Sequence, residues 1–252
     1  MLLEPFVNGS SLLHRFDPRG RVVVAGFFSV VTAVAVRWPT LAVAMAAAVM
    51  LCGLARLPLR QVARRLVIAN FFILCVWLFL PFTHAGTPLF AVGPFAATAE
   101  GIATASRITV KANAILLAFI ALVATMPVAT LGHALHRLAV PDKLVHLLLF
   151  TYRYIHVMEK EYQRLHNAAV IRGFRPRTDR HTYKTYANLV GMLLVRSLAR
   201  AERVYDAMLC RGFQGRFYSL RPFAMTGEDF ITAIVLLAVV GGMGFLEWLS
   251  TT

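Results

Sequence analysis

Two seven-residue stretches of this chain share four side chains at the same positions. They are Ala168-Ala169-Val170-Ile171-Arg172-Gly173-Phe174 and Ala207-Met208-Leu209-Cys210-Arg211-Gly212-Phe213, and both read Ala-x-x-x-Arg-Gly-Phe. At the same offset of 39 residues Arg164 pairs with Arg203 and Arg177 with Arg216, so six of the fourteen positions from 164 to 177 recur. A guanidinium is planar, permanently charged and forked, and it grips a carboxylate through two parallel hydrogen bonds as an ammonium cannot. The glycine that follows suits the left-handed residue that ends a helix, and the phenylalanine suits the contact that packs back on it. Capping accounts for Gly173, Gly212 and the two Phe residues. It leaves the arginines underexplained, because Lys would serve the carbonyl end of a helix dipole equally well. Arg172, Gly173, Arg211 and Gly212 are therefore the candidate partner-binding residues.

Other chemistry is harder to find. Of the eight histidines, His133 and His136 are spaced to share a helix face. No carboxylate or cysteine beside them in the sequence completes a tetrahedral set, so no metal ligand is assigned. The chain contains no Gly-x-x-x-x-Gly-Lys-Ser/Thr loop to cradle phosphates, so it offers no nucleotide site of its own and no cofactor is expected. A membrane enzyme acting on a phosphorylated or lipid-linked substrate finds no support, since neither paired carboxylates nor a nucleophile and base at useful spacing occur. Three cysteines build no disulfide framework.

The elements that must hold these residues follow from composition. At 252 residues, 58% hydrophobic, 15% charged and with a mean hydropathy of +0.66, the chain is too apolar for a soluble domain and reads as an all-α integral membrane protein. Apolar runs cover Val22 to Val36, Trp38 to Ala55, Leu66 to Pro81, Ala112 to Leu131 and Phe230 to Leu249. Arg37-Trp38-Pro39 reads as a tight interfacial turn, and Pro127 as a kink or an end in the fourth run. His84 to Lys111 reads as a long connection rich in Gly, Pro and Thr, and the Arg56 to Arg65 stretch as a basic loop or surface helix. Asp17 before Pro18 is a helix start or turn, and Tyr152-Arg153-Tyr154 an interfacial belt. The spans number five, or six if the short run Leu144 to Phe150 crosses rather than lying at the inner interface. Lys and Arg in the segments around the runs count 3, 1, 4, 2, 16 and 0 in chain order. High and low alternate, so the N-terminus, the Arg56 to Arg65 loop and residues 132 to 226 are expected in the cytoplasm and the C-terminus outside. The first twenty residues lack the apolar core of a signal peptide, and the N-terminus is expected to be retained. Three regions follow: membrane helices in 1–131, a cytoplasmic region in 132–226 and a last membrane helix in 227–252.

Within 132–226, Ile155, Met158, Tyr162, Leu165 and Ala169 step by three and four toward Arg172. Leu194, Leu198, Ala201, Tyr205 and Met208 do the same toward Arg211. The region predicts two amphipathic helices, each ending in a guanidinium. Its net charge of +10 also leaves open a membrane-anchored module that binds anionic lipid or nucleic acid, which salt-sensitive binding by the purified region would favour.

These residues resemble the transmembrane T component of energy-coupling factor transporters, in the CbiQ branch of cobalt and nickel uptake. The resemblance lies in Leu13-His14-Arg15-Phe16-Asp17-Pro18-Arg19, in Pro141 with Phe150-Thr151-Tyr152-Arg153-Tyr154-Ile155, in Arg196-Ser197-Leu198-Ala199-Arg200-Ala201-Glu202-Arg203, and above all in the paired Arg-Gly-Phe ends. It implies a multi-pass protein of the cell (inner) membrane that couples but does not catalyse. It implies that the two long helices are coupling helices whose ends, here Arg172 and Arg211, enter grooves of ABC-type ATPase subunits, two copies or a pair. Cobalt is the implied cargo, with nickel or a vitamin as alternatives, and a separate substrate-binding membrane subunit holds it. Membrane lipid is the remaining expected partner and nucleic acid is not. Many members carry Ala before each Arg where this chain has Ile171 and Cys210. The topology has a direct test. In a background with Cys52 and Cys75 replaced by Ala, a membrane-impermeant thiol reagent should leave Cys210 unlabelled in intact cells and label it after lysis.

Overall fold

The computed structural model describes residues 16–83, 87–92, 95–215 and 227–248. Leu13 to Arg15 of the N-terminal motif, His84 and Arg216 lie outside the described residues. In chain order the elements are α1 Pro18–Val34, α2 Trp38–Leu54, α3 Leu59–Thr83, an antiparallel hairpin of β1 Pro88–Val92 and β2 Phe95–Thr98, then α4 Ala99–Leu122, α5 Val128–Arg137, α6 Asp142–Ile171, α7 Arg180–Leu209 and α8 Gly227–Trp248. The helical class read from the sequence holds, with the hairpin inserted between α3 and α4. Two compact units divide at the end of α5, one drawn from Glu4–Ala134 and Phe223–Thr252 and the other from Leu135–Pro222.

The first unit is built around α4. Ala114, Ala118 and Ala121 are almost fully buried, as are Ala44 and Ala48 of α2, so small side chains let these helix backbones approach closely. Phe28 and Val24 of α1, Leu51 of α2, Leu122 of α4 and Met243 of α8 fill the space around them. Helix α3 lies on α4 but turns most of its surface outward, with Phe71 at 73% and Phe72 at 74% exposure. Such an apolar face is untenable in water and suits lipid. Helices α3 and α4 are long and apolar enough to cross a bilayer, whereas α2 and residues 236–245 of α8 are apolar but shorter.

Two segments differ from the sequence expectation. The basic stretch Arg60, Arg64 and Arg65 is neither a loop nor a separate helix, but the first turns of α3. The connection expected at 84–111 ends at Thr98, and α4 takes in Ala99 to Lys111. The cause is local satisfaction of polar groups. Thr98 caps α4 by accepting from the Gly101 N–H at 3.3 Å, Thr104 and Thr109 donate to carbonyls one turn back, and Lys111 donates to the Ala33 carbonyl at 2.7 Å. Across to α3, Asn70 and Asn113 exchange two 3.0 Å bonds, and the Trp77 indole donates to Thr109 at 2.9 Å. Pro127 marks an end rather than a kink, since α4 stops at Leu122 and α5 starts at Val128.

The ends of this bundle are tied separately. At one end Asp17 caps α1 by accepting from the Arg19 N–H at 2.8 Å with Pro18 in the first turn, which is a structural role for the Asp-Pro-Arg stretch. Beside it the buried Arg21 donates to the Phe16 carbonyl at 3.0 Å and reaches Thr125 after α4 at 3.5 Å. At the other end Glu247 of α8 accepts from the Val36 N–H at 2.7 Å and from the Thr40 hydroxyl at 2.8 Å, gripping the turn between α1 and α2.

The crossing of α3 and α4 depends on Gly101. A Cβ there would lie 2.8 Å from the Pro81 Cα and 3.0 Å from the Leu80 carbonyl, so backbone would have to move. Gly101→Ala should cost about 1 to 3 kcal/mol by overpacking. Thermal unfolding in detergent, followed by tryptophan fluorescence, should show a clearly lowered midpoint. Gly53→Ala, where a Cβ meets nothing within 4 Å, should not lower it comparably.

Candidate functional site

Helices α6 and α7 are each 30 residues long, and their contacting residues run in opposite chain directions. Residues 144–150, ambiguous in the sequence, are simply the first turns of α6. The two helices end alike. At the end of α6 the Gly173 N–H donates to the Val170 carbonyl at 2.9 Å and the Phe174 N–H to the Ala169 carbonyl at 3.1 Å. At the end of α7 the Gly212 N–H donates to the Leu209 carbonyl at 2.9 Å and the Phe213 N–H to the Met208 carbonyl at 3.1 Å. This is the Schellman arrangement twice, with Gly173 at φ +84° and Gly212 at φ +77°. A Cβ at either glycine would touch nothing within 4 Å, so the dihedral alone demands glycine. Phe174 is buried edge-on against Tyr186, ring centres 5.6 Å apart, which joins the first end to the start of α7.

Arg172 and Arg211 occupy the same place in the two ends, both exposed. Among the described residues neither guanidinium has a hydrogen bond or ion pair. The repeat therefore builds two copies of one object: a rigid last turn that presents an unneutralised fork to the outside. The Arg172 end packs near the start of α7 through Phe174 and Tyr186, and the Arg211 end follows the last turn of that helix, so most of its length of about 45 Å lies between the two forks.

Between the ends the helices are joined by a cluster that sequence reasoning missed. Glu161 of α6 is buried, and its carboxylate meets Arg196 at 2.5 Å and Arg200 at 3.8 Å from α7, and Arg164 at 3.6 Å from its own helix. The hydrogen bond from Arg196, and after it the charges of Arg196, Arg164 and Arg200, hold the Glu161 carboxyl below the usual carboxylate range against the opposing effect of burial. The only sequence signal was spacing: Glu161 stands three before Arg164, and Arg196 four before Arg200.

The apolar stripes have a different fate from ordinary core faces. Leu194, Leu198, Ala201, Tyr205 and Met208 line a groove of about 780 Å³, and all but Met208 are exposed. From α6 the groove takes Phe150, Tyr154 and Met158, with the Phe150 and Tyr154 rings stacked at 6.2 Å. Of the other α6 stripe residues, Ile155 and Tyr162 are exposed, and Leu165 and Ala169 half-buried. Among the histidines, His136 has a carboxylate the sequence order hid, with its Nδ1 3.3 Å from Asp142. Among the described residues no three His, Cys, Asp or Glu side chains come together as a metal-binding group.

The family described as cobalt transport protein, CbiQ, matches residues 9–220, which includes both Arg-Gly-Phe ends and the Glu161 cluster. The chain belongs to this CbiQ family. Among curated relatives, the energy-coupling factor transporter transmembrane protein of Leuconostoc gelidum subsp. gasicomitatum is 32% identical over 226 residues, covering 85% of this chain and 84% of that one. The protein of the same description from Bacillus subtilis is 25% identical over 260 residues, covering 98% of each. The cobalt transport protein CbiQ of Rhodobacter capsulatus is 31% identical over 146 residues, covering 56% of this chain and 59% of that one. This CbiQ-family chain is thus a transporter membrane component of the energy-coupling factor T type. Its helix ends give a local test. Gly173→Ala or Gly212→Ala places a Cβ in the left-handed region and should cost about 1 kcal/mol. The unfolding midpoint should fall by about 2 to 4 °C for a chain of this size, while Gly→Asn at the same positions should lose less.

Proposed function

We propose that this chain is the coupling subunit of an ATP-driven importer of cobalt ions, passing the motion of ABC-type ATPase subunits to a separate substrate-binding membrane subunit. The observation that carries this reading is the recurrence of one helix end, with an exposed and unneutralised Arg, at Arg172 and Arg211. Two ends separated by most of the length of α7 suit two grooves on two ATPase subunits better than one. The Schellman turns, with Gly173 and Gly212, fix the backbone from which each Arg side chain leaves its helix, so the helix end need not rearrange when a groove carboxylate pairs with the fork. Closure of the ATPases then moves the two tips, and the α6–α7 pair carries that displacement onward. Its exposed apolar groove is the surface we assign to the substrate-binding subunit, which holds the metal.

Cobalt rests on the family description and on the name of the Rhodobacter relative, whereas the Leuconostoc and Bacillus names specify no cargo. Nickel or a vitamin is the alternative cargo. For topology we assign α1 to α4 and α8 as five spans, with the N-terminus and residues 132–226 in the cytoplasm of a multi-pass cell-membrane protein. The charge bias supports this, and so do the two tied ends of the bundle, Arg21 with Thr125 and Glu247 with the α1–α2 turn.

The test separates pairing from capping. If the arginines only finish helices, Lys keeps a dipole interaction of about 0.3 to 1 kcal/mol and transport changes little. If each makes a bidentate pair in an ATPase groove, Lys loses the fork, and Glu opposes the groove carboxylate at about 2 to 5 kcal/mol. Arg172→Lys and Arg211→Lys should then lower uptake sharply at equal expression. The Arg172→Glu, Arg211→Glu double variant should no longer co-purify ATPase subunits. A double variant that retains its ATPases and transports normally would refute the coupling reading.

A further inference from the structure

Glu161 is a single carboxylate facing three guanidiniums, more than a static pair requires. Its two partners on α7, Arg196 and Arg200, stand four residues apart and so face the same way, one helical turn from each other. Their present states differ. Arg196 is bonded to one Glu161 oxygen at 2.5 Å, whereas the nearest Arg200 nitrogen stands 3.8 Å from the other, and the buried Arg200 Nε has no hydrogen-bond partner among the described residues. Arg200 also lines the apolar groove, so one side chain belongs both to the clasp and to the surface beside it.

We infer that Glu161 is a positioning residue with two registers, held by Arg196 in one and by Arg200 in the other, and that α6 and α7 slide past each other by one turn between them. Arg164 travels with Glu161 on α6, but at 3.6 Å it does not replace the hydrogen bond from Arg196, and losing that bond leaves a buried carboxylate poorly compensated during the slide. With a second α7 guanidinium already close, the bond across the pair passes from Arg196 to Arg200. Packed helices prefer discrete arrangements to continuous deformation, and a one-turn step is among the discrete arrangements they use. In the second register the unpartnered Arg200 Nε gains an acceptor. The Arg200 side chain is also drawn away from the groove wall, so a displacement applied at the Arg172 and Arg211 tips changes the surface offered to an occupant of the groove. This inference rests on the coupling reading above and supplies the element within the α6–α7 pair that has two states.

The experiment uses the complete complex, the chain co-expressed with its ATPase and substrate-binding subunits, in lipid nanodiscs. Spin labels are placed at Lys160→Cys on α6 and Glu202→Cys on α7, both exposed positions, in a chain otherwise free of cysteine. In the parent complex the label distance should shift by several ångströms between the nucleotide-free state and the state with a non-hydrolysable ATP analogue, up to the 5.4 Å of one turn. Arg200→Ala should leave the nucleotide-free distance and ATPase co-purification unchanged, abolish the shift and lower uptake at least tenfold. Arg196→Ala should move the nucleotide-free distance toward the ATP-state value. Glu161→Arg with Arg196→Glu and Arg200→Glu, which reverses the charges and keeps two registers, should restore the shift. Glu161→Arg with Arg196→Glu alone should restore the resting distance only. A parent complex that assembles without a shift, or an Arg200→Ala complex that still shifts and transports, overturns the two-register inference and leaves the coupling reading standing. ATPase subunits that never co-purify with the parent chain would overturn the coupling reading itself.

Discussion

A buried carboxylate sets the register of the α6–α7 pair. Both helices expose most of their surface, and the apolar stripe of α7 lines an open groove rather than a closed core, so packing alone would hold them loosely. Glu161 supplies a specific attachment in its place. The carboxylate is largely buried and needs a cation, and Arg196 offers one on a single turn of α7. The choice of turn fixes which stretch of α7 lies against which stretch of α6, and with it the position of the Arg211 end relative to the Arg172 end. The Schellman turns then determine how each fork leaves its helix, because Gly173 and Gly212 take a backbone conformation that other residues adopt only with strain. An ionic register and two glycine dihedrals therefore specify the geometry of the candidate site.

The membrane unit answers to a related constraint. In hydrocarbon a polar group has to be satisfied by the protein, and α4 is the helix on which that requirement falls most heavily. Up to Asn113 it carries Thr104, Thr109, Lys111 and Asn113, each bonded to its own helix or to α1 or α3. From Ala114 onward it is apolar, and its buried alanines bring α2 and α1 close. The Glu247 carboxylate ties α8 to the other helix pair by accepting from the Val36 N–H and the Thr40 hydroxyl at the turn between α1 and α2. The bundle thus uses polar bonds between α3 and α4 and at the tied ends, and small residues where α4 meets α2.

Hydropathy and spacing by themselves determined the helical class, the apolar runs that became α1, α2, α3 and α8, and the recurrence of the Arg-Gly-Phe end with its glycine conformation. These are local or periodic properties: a 3.6-residue stripe, an apolar run and a left-handed residue after a helix are each written in neighbouring side chains. The start of α4 was not legible, because Thr, Arg and Lys lower hydropathy and read as a loop until Ala33, Asn70 and Trp77 are brought beside them. The continuity of α3 through Arg60, Arg64 and Arg65 was hidden for the same reason. Asp142 beside His136 depended on how the chain turns between α5 and α6. Most of all, Glu161 is one of several acidic residues in a basic region when read along the chain. Only the antiparallel pairing of α6 with α7 sets it against Arg196 and Arg200, 35 residues and more away, because a buried charge selects its partners in space rather than in sequence.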